Sequence, residues 1–193
     1  MKRLILLFCI LIGLPCFADT AEILRSLTVQ EQQVLNCKTN CNEQMTRFYK
    51  NLIEHVYDTM DEALKLDETE SKDWFIPSQA PFIYVSCNCW VGVGINYKHL
   101  KTYKLPKIWK EYLNVFNDVD VVDLYAYDEL QGVRFIQKAD KFIQKYPDFP
   151  FNYYLKEQRD NILKSISGNL IDFPYPPTNK RVIKFCKSMG IDF

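Results

Sequence analysis

The chain has 193 residues, of which 48% are hydrophobic and 15% aromatic, and its 24 basic residues are balanced by 24 acidic ones. This composition can form a domain with its own core, and it excludes a disordered, collagen-like or low-complexity chain. The balanced charge also argues against nucleic acid as the main partner.

The N-terminus has the three parts of a secretory signal peptide. A Lys-Arg pair precedes a short apolar run, and Cys-Phe-Ala follows that run at 16–18. The apolar run is shorter than the ~20 residues of a membrane-spanning helix. We therefore expect cleavage after residue 18, with 19–193 exported to the periplasm or secreted as a single domain without a membrane span. An uncleaved membrane anchor is the alternative.

The next segment predicts one long amphipathic helix. Thr28 and Glu31 have the spacing of a capping box, and neither Pro nor Gly occurs from there to about Leu66. Apolar residues recur at three- and four-residue steps, as a helix face requires. These residues are Cys41, Met45, Phe48, Leu52, Val56, Met60 and Ala63. A break near 38–42, which would give two helices, is the alternative.

The middle of the chain predicts a small β component. Residues 82–97 are rich in β-branched and aromatic side chains, which favours one or two strands, and two glycines there indicate a bend or bulge. Pro106 is suited to the first turn of a short helix. Residues 119–127 alternate apolar with acidic residues and could form a further strand.

Three helices are expected in the second half of the chain. Asp128 can begin a helix that runs to Lys145, Asn152 one that ends near Gly168, and Thr178 a short last one. The predicted fold class is mainly α with a small β component (α+β). We expect a single compact domain, stapled by disulfides and built on the long N-terminal helix.

Four cysteines have spacings that suit a pair of disulfides. Cys37 and Cys41 would share a helix face, whereas Cys87 and Cys89 would share a strand face. In an oxidising compartment this predicts two helix-to-strand disulfides, with the connectivity open. A thiol-redox site, or a zinc or copper site, on the same four cysteines is the alternative. Cys186 is expected to be a buried free thiol.

The chain is poorly equipped for catalysis. It has two histidines, and it lacks the glycine-containing motifs of serine hydrolases and of nucleotide-binding enzymes. The remaining enzymatic alternative is a carboxylate-based hydrolase of an envelope glycan, with Glu54, Asp58 or Glu62 as candidate acids. No cofactor is expected.

Basic residues interleaved with aromatic ones, together with Pro-stiffened aromatic segments, indicate a binding surface. The candidates are Tyr97, Lys98, Lys101, Tyr103, Lys104, Trp109, Phe151, Tyr153, Tyr154 and Tyr175. The same aromatic residues could equally cover a helical core. A small, exported, helical protein without a complete catalytic set is similar in type to periplasmic binding or protective proteins, including immunity proteins against secreted toxins. We therefore expect a non-enzymatic binding, immunity-type or inhibitor-type protein that recognises another protein.

Overall fold

The computed structural model describes residues 20–59, 80–87, 91–118, 129–168 and 177–191. Several sequence expectations therefore concern residues outside the described part. They are the signal peptide at 1–18, the acidic candidate Glu62, the strand expected at 119–127, the helix start at Asp128 and the aromatic candidate Tyr175.

The described part is mainly helical, with one short antiparallel hairpin. Its α-helices are α1 (Thr20–Leu35), α2 (Cys41–His55), α3 (Tyr97–Leu100), α4 (Lys107–Val115), α5 (Glu129–Lys145), α6 (Asn152–Ile166) and α7 (Lys180–Ser188). Single 3₁₀ turns follow α2 at Tyr57–Thr59 and α4 at Phe116–Asp118. Strands β1 (Ile83–Cys87) and β2 (Val91–Ile95) pair with Ile83 opposite Ile95 and Cys87 opposite Val91.

The expected single long N-terminal helix is not found; two helices joined by a short loop at 36–40 occupy its described part. Asn40 breaks the helix because its φ of 58° lies in the left-handed region, which Asn tolerates better than most residues. The chain then reverses, since the Asn51 amide on α2 donates to the Gln30 side chain on α1 at 2.8 Å. The alternative of a break near 38–42 is thus the one observed.

The capping box expected at Thr28 and Glu31 is also wrong. Thr28 lies inside α1, and its hydroxyl donates to the Leu24 carbonyl at 2.8 Å. The helix begins earlier, at Thr20. A prediction that starts from the capping pattern at Thr28 leaves out the apolar residues of the turn before it. Those residues, Ile23 and Leu24, pack against the core.

The helices α4 to α7 agree with the sequence expectations to within a few residues, whereas the short helix α3 was not expected. The main difference is the last cap, where the Asn179 side chain, rather than that of Thr178, accepts from the backbone N–H of Arg181 at 2.9 Å. Asn152 starts α6, but its amide donates backward to the carbonyls of Tyr146 and Pro147 and so ties α6 to the preceding turn.

An aromatic cluster forms the centre of the core. The ring of Tyr49 on α2 makes edge-to-face contacts with Trp109 and Tyr112 on α4, each at 5.4 Å between centroids, and with Phe151 at 4.9 Å. Such ring pairs contribute about 0.5–1.5 kcal/mol each beyond the area that they bury. The cluster therefore fixes α2 against α4 and the start of α6.

Candidate functional site

Four tyrosine hydroxyls meet inside the aromatic core. The Tyr49 hydroxyl lies 3.1 Å from that of Tyr112 and 3.3 Å from that of Tyr97, and the Tyr97 hydroxyl lies 3.5 Å from that of Tyr154. Burial raises the pKa of Tyr49, Tyr97 and Tyr112 well above the usual value near 10. We call these four residues the buried tyrosine cluster. Its hydroxyls satisfy one another, so the cluster stabilises the neutral phenols and the fold.

Most aromatic members of the expected binding surface are core residues. Tyr97, Tyr103, Trp109 and Phe151 are buried, and Tyr154 is half-buried. The expectation that these rings form a surface is corrected: Trp109 and Phe151 pack around Tyr49, and Tyr103 contacts Glu31. The alternative expectation, that aromatic side chains cover a helical core, accounts for these four buried residues.

The lysines of that surface are separated from its aromatic residues. Lys98 and Lys104 are exposed, whereas Lys101 is half-buried and donates to the Asn117 side chain. The neighbouring tyrosines at 97 and 103 are buried, so the exposed lysines at 98 and 104 do not share a surface with those rings.

Tyr153 is the aromatic candidate that remains exposed, and it has an exposed neighbour that the sequence analysis missed. Tyr153 at the start of α6 is 56% exposed, and Tyr57 in the 3₁₀ turn after α2 is 68% exposed. We define the tyrosine patch as these two residues with the exposed carboxylates Glu54 and Glu157. Among the aromatic side chains that the structure describes, Tyr57 and Tyr153 are the exposed ones; the rest are buried or half-buried.

The tyrosine patch lies where α6 meets α2, since the ring of Tyr154 packs against that of Tyr49 at 6.4 Å between centroids. Partial burial, then the charges of Glu54 and Glu157, raise the pKa of Tyr153. For Tyr154, which lies between the patch and the core, burial raises the pKa most, and Tyr57, Glu157 and Tyr153 add to the rise. The end of α2 and the start of α6 therefore present one aromatic and acidic surface.

The hydrophobic periodicity of the first helical segment contains a signal that Tyr57 is exposed. The apolar stripe of the first helical segment includes Leu52 and Val56, both buried in α2 or just after it, and Tyr57 lies outside that stripe. An aromatic residue away from the apolar face of an amphipathic helix is expected to reach solvent. The partner residues on α6 could not be found this way, because their proximity depends on the tertiary fold.

A buried carboxylate forms a second polar site. Glu31 on α1 is 2% exposed, accepts the Tyr103 hydroxyl, and lies 2.9 Å from Nε2 of His99. Because a carboxylate oxygen accepts, this contact places the imidazole hydrogen on Nε2. Burial first, then the bond to Glu31, raises the pKa of Tyr103. The three side chains join α1 to the segment after β2.

This carboxylate–imidazole pair resembles half of a catalytic triad in its geometry. A triad also needs a nucleophile hydrogen-bonded to the imidazole. Within the described residues, the hydrogen bonds of the His99 ring go to Glu31 alone. The carboxylate–imidazole pair therefore connects α1 to the segment after β2. In the sequence, the signal for this pair was limited to the position of Glu31 on the apolar face of its helix.

The two described acids of the hydrolase alternative, Glu54 and Asp58, lie on the protein surface. Glu54 is 3.8 Å from Lys50, and Asp58 is 3.0 Å from Nδ1 of His55; all four side chains are largely exposed. A general acid for glycoside hydrolysis needs a cleft that raises its pKa. The described candidates have the surroundings of ordinary surface residues.

The cysteine pairing differs from the expected one. Cys37 and Cys41 form a disulfide with each other, across the loop between α1 and α2. The helix-to-strand pairing is therefore corrected for these two residues, since the helix break turns their thiols toward each other instead of along one face. The thiols of Cys87 and Cys89 lie outside the described part. Cys186 is buried and free, as expected, and burial raises its pKa.

The described residues include no group of three or more His, Cys, Asp or Glu side chains placed to hold a metal ion. In the same part of the chain, every helix is too short or too polar to cross a membrane. No protein-family model, curated protein or solved structure matches the chain.

Proposed function

We propose that the chain is an exported, non-enzymatic protein that binds another protein through the tyrosine patch. The observation that carries this proposal is the exposure of Tyr57 and Tyr153 next to acidic residues. Tyrosines are favoured in protein interfaces because they bury a large rigid area and keep a polar hydroxyl. Charged residues around an aromatic centre supply the rim of such an interface.

The charge of the patch indicates the chemistry of the partner surface. Glu157 forms no ion pair with another described residue, and the contact of Glu54 with Lys50 is a solvent-exposed pair that contributes little. An arginine- or lysine-bearing surface would complement these carboxylates, and its cations could stack on the two exposed rings. We therefore propose a partner with a basic docking surface.

Two features support export. The first eighteen residues have the composition of a signal peptide. The Cys37–Cys41 disulfide would persist in an oxidising compartment and would be reduced in most cytoplasms. The N-terminal sequence of the protein from its native host should begin at Asp19, and a product that retains Met1 would contradict export.

Site-specific photo-crosslinking in the native host tests the binding function. A benzophenone amino acid placed at 57 or at 153 should give the same discrete adduct, because the two positions border one surface. The matched control is position 29, where the natural valine is 57% exposed on α1. Adducts that are absent, or equally strong from position 29, would contradict the proposal. Release of glycan fragments by the purified protein would instead favour the hydrolase.

A further inference from the structure

A second candidate surface shares no residue with the tyrosine patch: the groove between α5 and α7. It has a volume of about 450 Å³. Leu130 and Val133 of α5 and Phe185 of α7, all partly buried, supply its apolar part. Arg134 of α5, with Arg181 and Lys184 of α7, supplies basic groups along its walls.

The lining residues follow both helices for about two turns. On α5 they occupy 130, 133, 134 and 137, and on α7 they occupy 181, 184, 185 and 188, so each helix lines the groove with one i, i+3, i+4, i+7 stripe. Two helix faces that pack side by side leave a channel between their ridges into which a third helix can pack. The groove can therefore contact about two turns of such a helix.

The charge of α7 is entirely positive: the helix contains four basic residues and no acidic one. All four basic side chains are exposed, and none forms an ion pair with another described residue. They are Lys180, Arg181, Lys184 and Lys187. Glu129 at the start of α5 is a described acidic group that acts electrostatically on Cys186 of this helix. A basic surface with this excess charge favours an anionic ligand.

We propose that the groove between α5 and α7 binds an acidic amphipathic helix of a second protein. The apolar stripe of that helix would cover Leu130, Val133 and Phe185. Its flanking Glu and Asp side chains would meet Arg181 and Lys184, as in other helix-in-groove complexes. This site is independent of the tyrosine patch, and either surface can be disproved without affecting the other.

An anionic membrane is the other partner that a basic amphipathic helix can suggest. It is disfavoured here because α7 already uses its apolar face in the core. Val182 and Cys186 are buried, and Phe185 and Ile183 are partly buried. Apart from Phe185 at the groove, the apolar face of α7 packs against the core, so the helix would have to leave the core to insert among lipids.

Fluorescence anisotropy with designed peptides tests the proposal. The probe is an 18-residue helical peptide with Leu at one stripe and Glu elsewhere, compared with a scrambled peptide of equal composition. The striped peptide should bind more tightly than the scrambled one, and the double variant R181E/K184E should weaken its binding by about tenfold or more. The charge-matched control K104E/K110E changes two exposed lysines that form no ion pair with another described residue, and it should leave binding unchanged.

Three outcomes would overturn the inference. The first is that the striped peptide does not bind. The second is that both peptides bind equally, which would show that the binding depends on charge alone. The third is that phosphatidylglycerol vesicles bind in an R181E/K184E-sensitive way while the peptide does not. Circular dichroism melting of both double variants shows that a loss of binding reflects the groove and not unfolding.

Discussion

Two consecutive tyrosines on α6 have opposite surroundings. The Tyr154 hydroxyl lies 3.5 Å from that of Tyr97 in the buried tyrosine cluster, whereas Tyr153 is 56% exposed beside Glu54 and Glu157. Neighbouring side chains on a helix point about 100° apart, so one turns to the core and the other to solvent. The position of an aromatic residue on its helix, more than the aromatic content of a segment, therefore decides whether its ring is buried or exposed.

The largest expected difference between the two groups appears at alkaline pH. Burial raises the pKa of Tyr49, Tyr97 and Tyr112 in the folded protein, so folding favours their neutral forms. This stabilisation is complete below the unfolded-state pKa near 10 and is lost as the pH rises above it. The free energy of unfolding should fall by about 1.4 kcal/mol per pH unit for each such tyrosine.

Urea unfolding between pH 8 and pH 11.5 measures this loss. Tyr112→Phe should reduce the fall in the free energy of unfolding per pH unit by the contribution of one tyrosine. Tyr153→Phe, the control on the surface, should change this pH dependence far less. A stability that is equal at both ends of the range would show that the cluster is not buried as described.

Truncation of one tyrosine from each group gives the next largest contrast. Tyr49→Ala removes a fully buried ring from the aromatic core and should destabilise the protein by about 3–5 kcal/mol. Tyr153→Ala should change the free energy of unfolding by less than about 0.5 kcal/mol, as for most exposed positions. Chemical denaturation followed by circular dichroism measures both, and similar losses from the two variants would remove the distinction.

A smaller effect is expected from the disulfide that joins α1 to α2, the helix that carries Tyr49. Because Cys37 and Cys41 enclose a short loop, their replacement by Ser should cost about 2 kcal/mol in the chain-entropy model. Both tyrosine groups should remain in place, so the tyrosine fluorescence of the folded variant should match that of the parent protein.

Peptide mapping without reduction tests the pairing itself. Trypsin cuts after Lys38, between the two cysteines, so the two resulting peptides should stay joined to each other. A link from either peptide to the one that holds Cys87 and Cys89 would restore the helix-to-strand arrangement.

Local periodicity predicted most of the described helices, and one or two strands where the hairpin lies. The face of α4 that includes Trp109 and Tyr112 is buried, and Gly190 follows α7 with a φ of 79°. The apolar spacing continues through the break at Asn40, whereas the turn depends on one left-handed residue. Hydrophobic periodicity alone does not identify a residue with a left-handed backbone conformation.

The candidate sites were harder to predict, since they depend on contacts between distant segments. Glu31 and His99 are 68 positions apart and meet through the packing of α1 on the segment after β2. Tyr57 and Tyr153 border one region in the same way, because Tyr154 on α6 packs against Tyr49 on α2 at 6.4 Å between ring centroids. The sequence showed that Tyr57 leaves the apolar stripe, but it contained no signal for what lies beside it.

Nitration of the native protein with tetranitromethane tests the division between exposed and buried tyrosines most directly. The reagent modifies accessible phenols, and mass spectrometry of the digested protein locates each modified residue. The account predicts rapid nitration of Tyr57 and Tyr153, with Tyr49, Tyr97 and Tyr112 modified only after denaturation. Nitration of Tyr49 or Tyr112 in the folded protein, or protection of both Tyr57 and Tyr153 in the isolated protein, would contradict it.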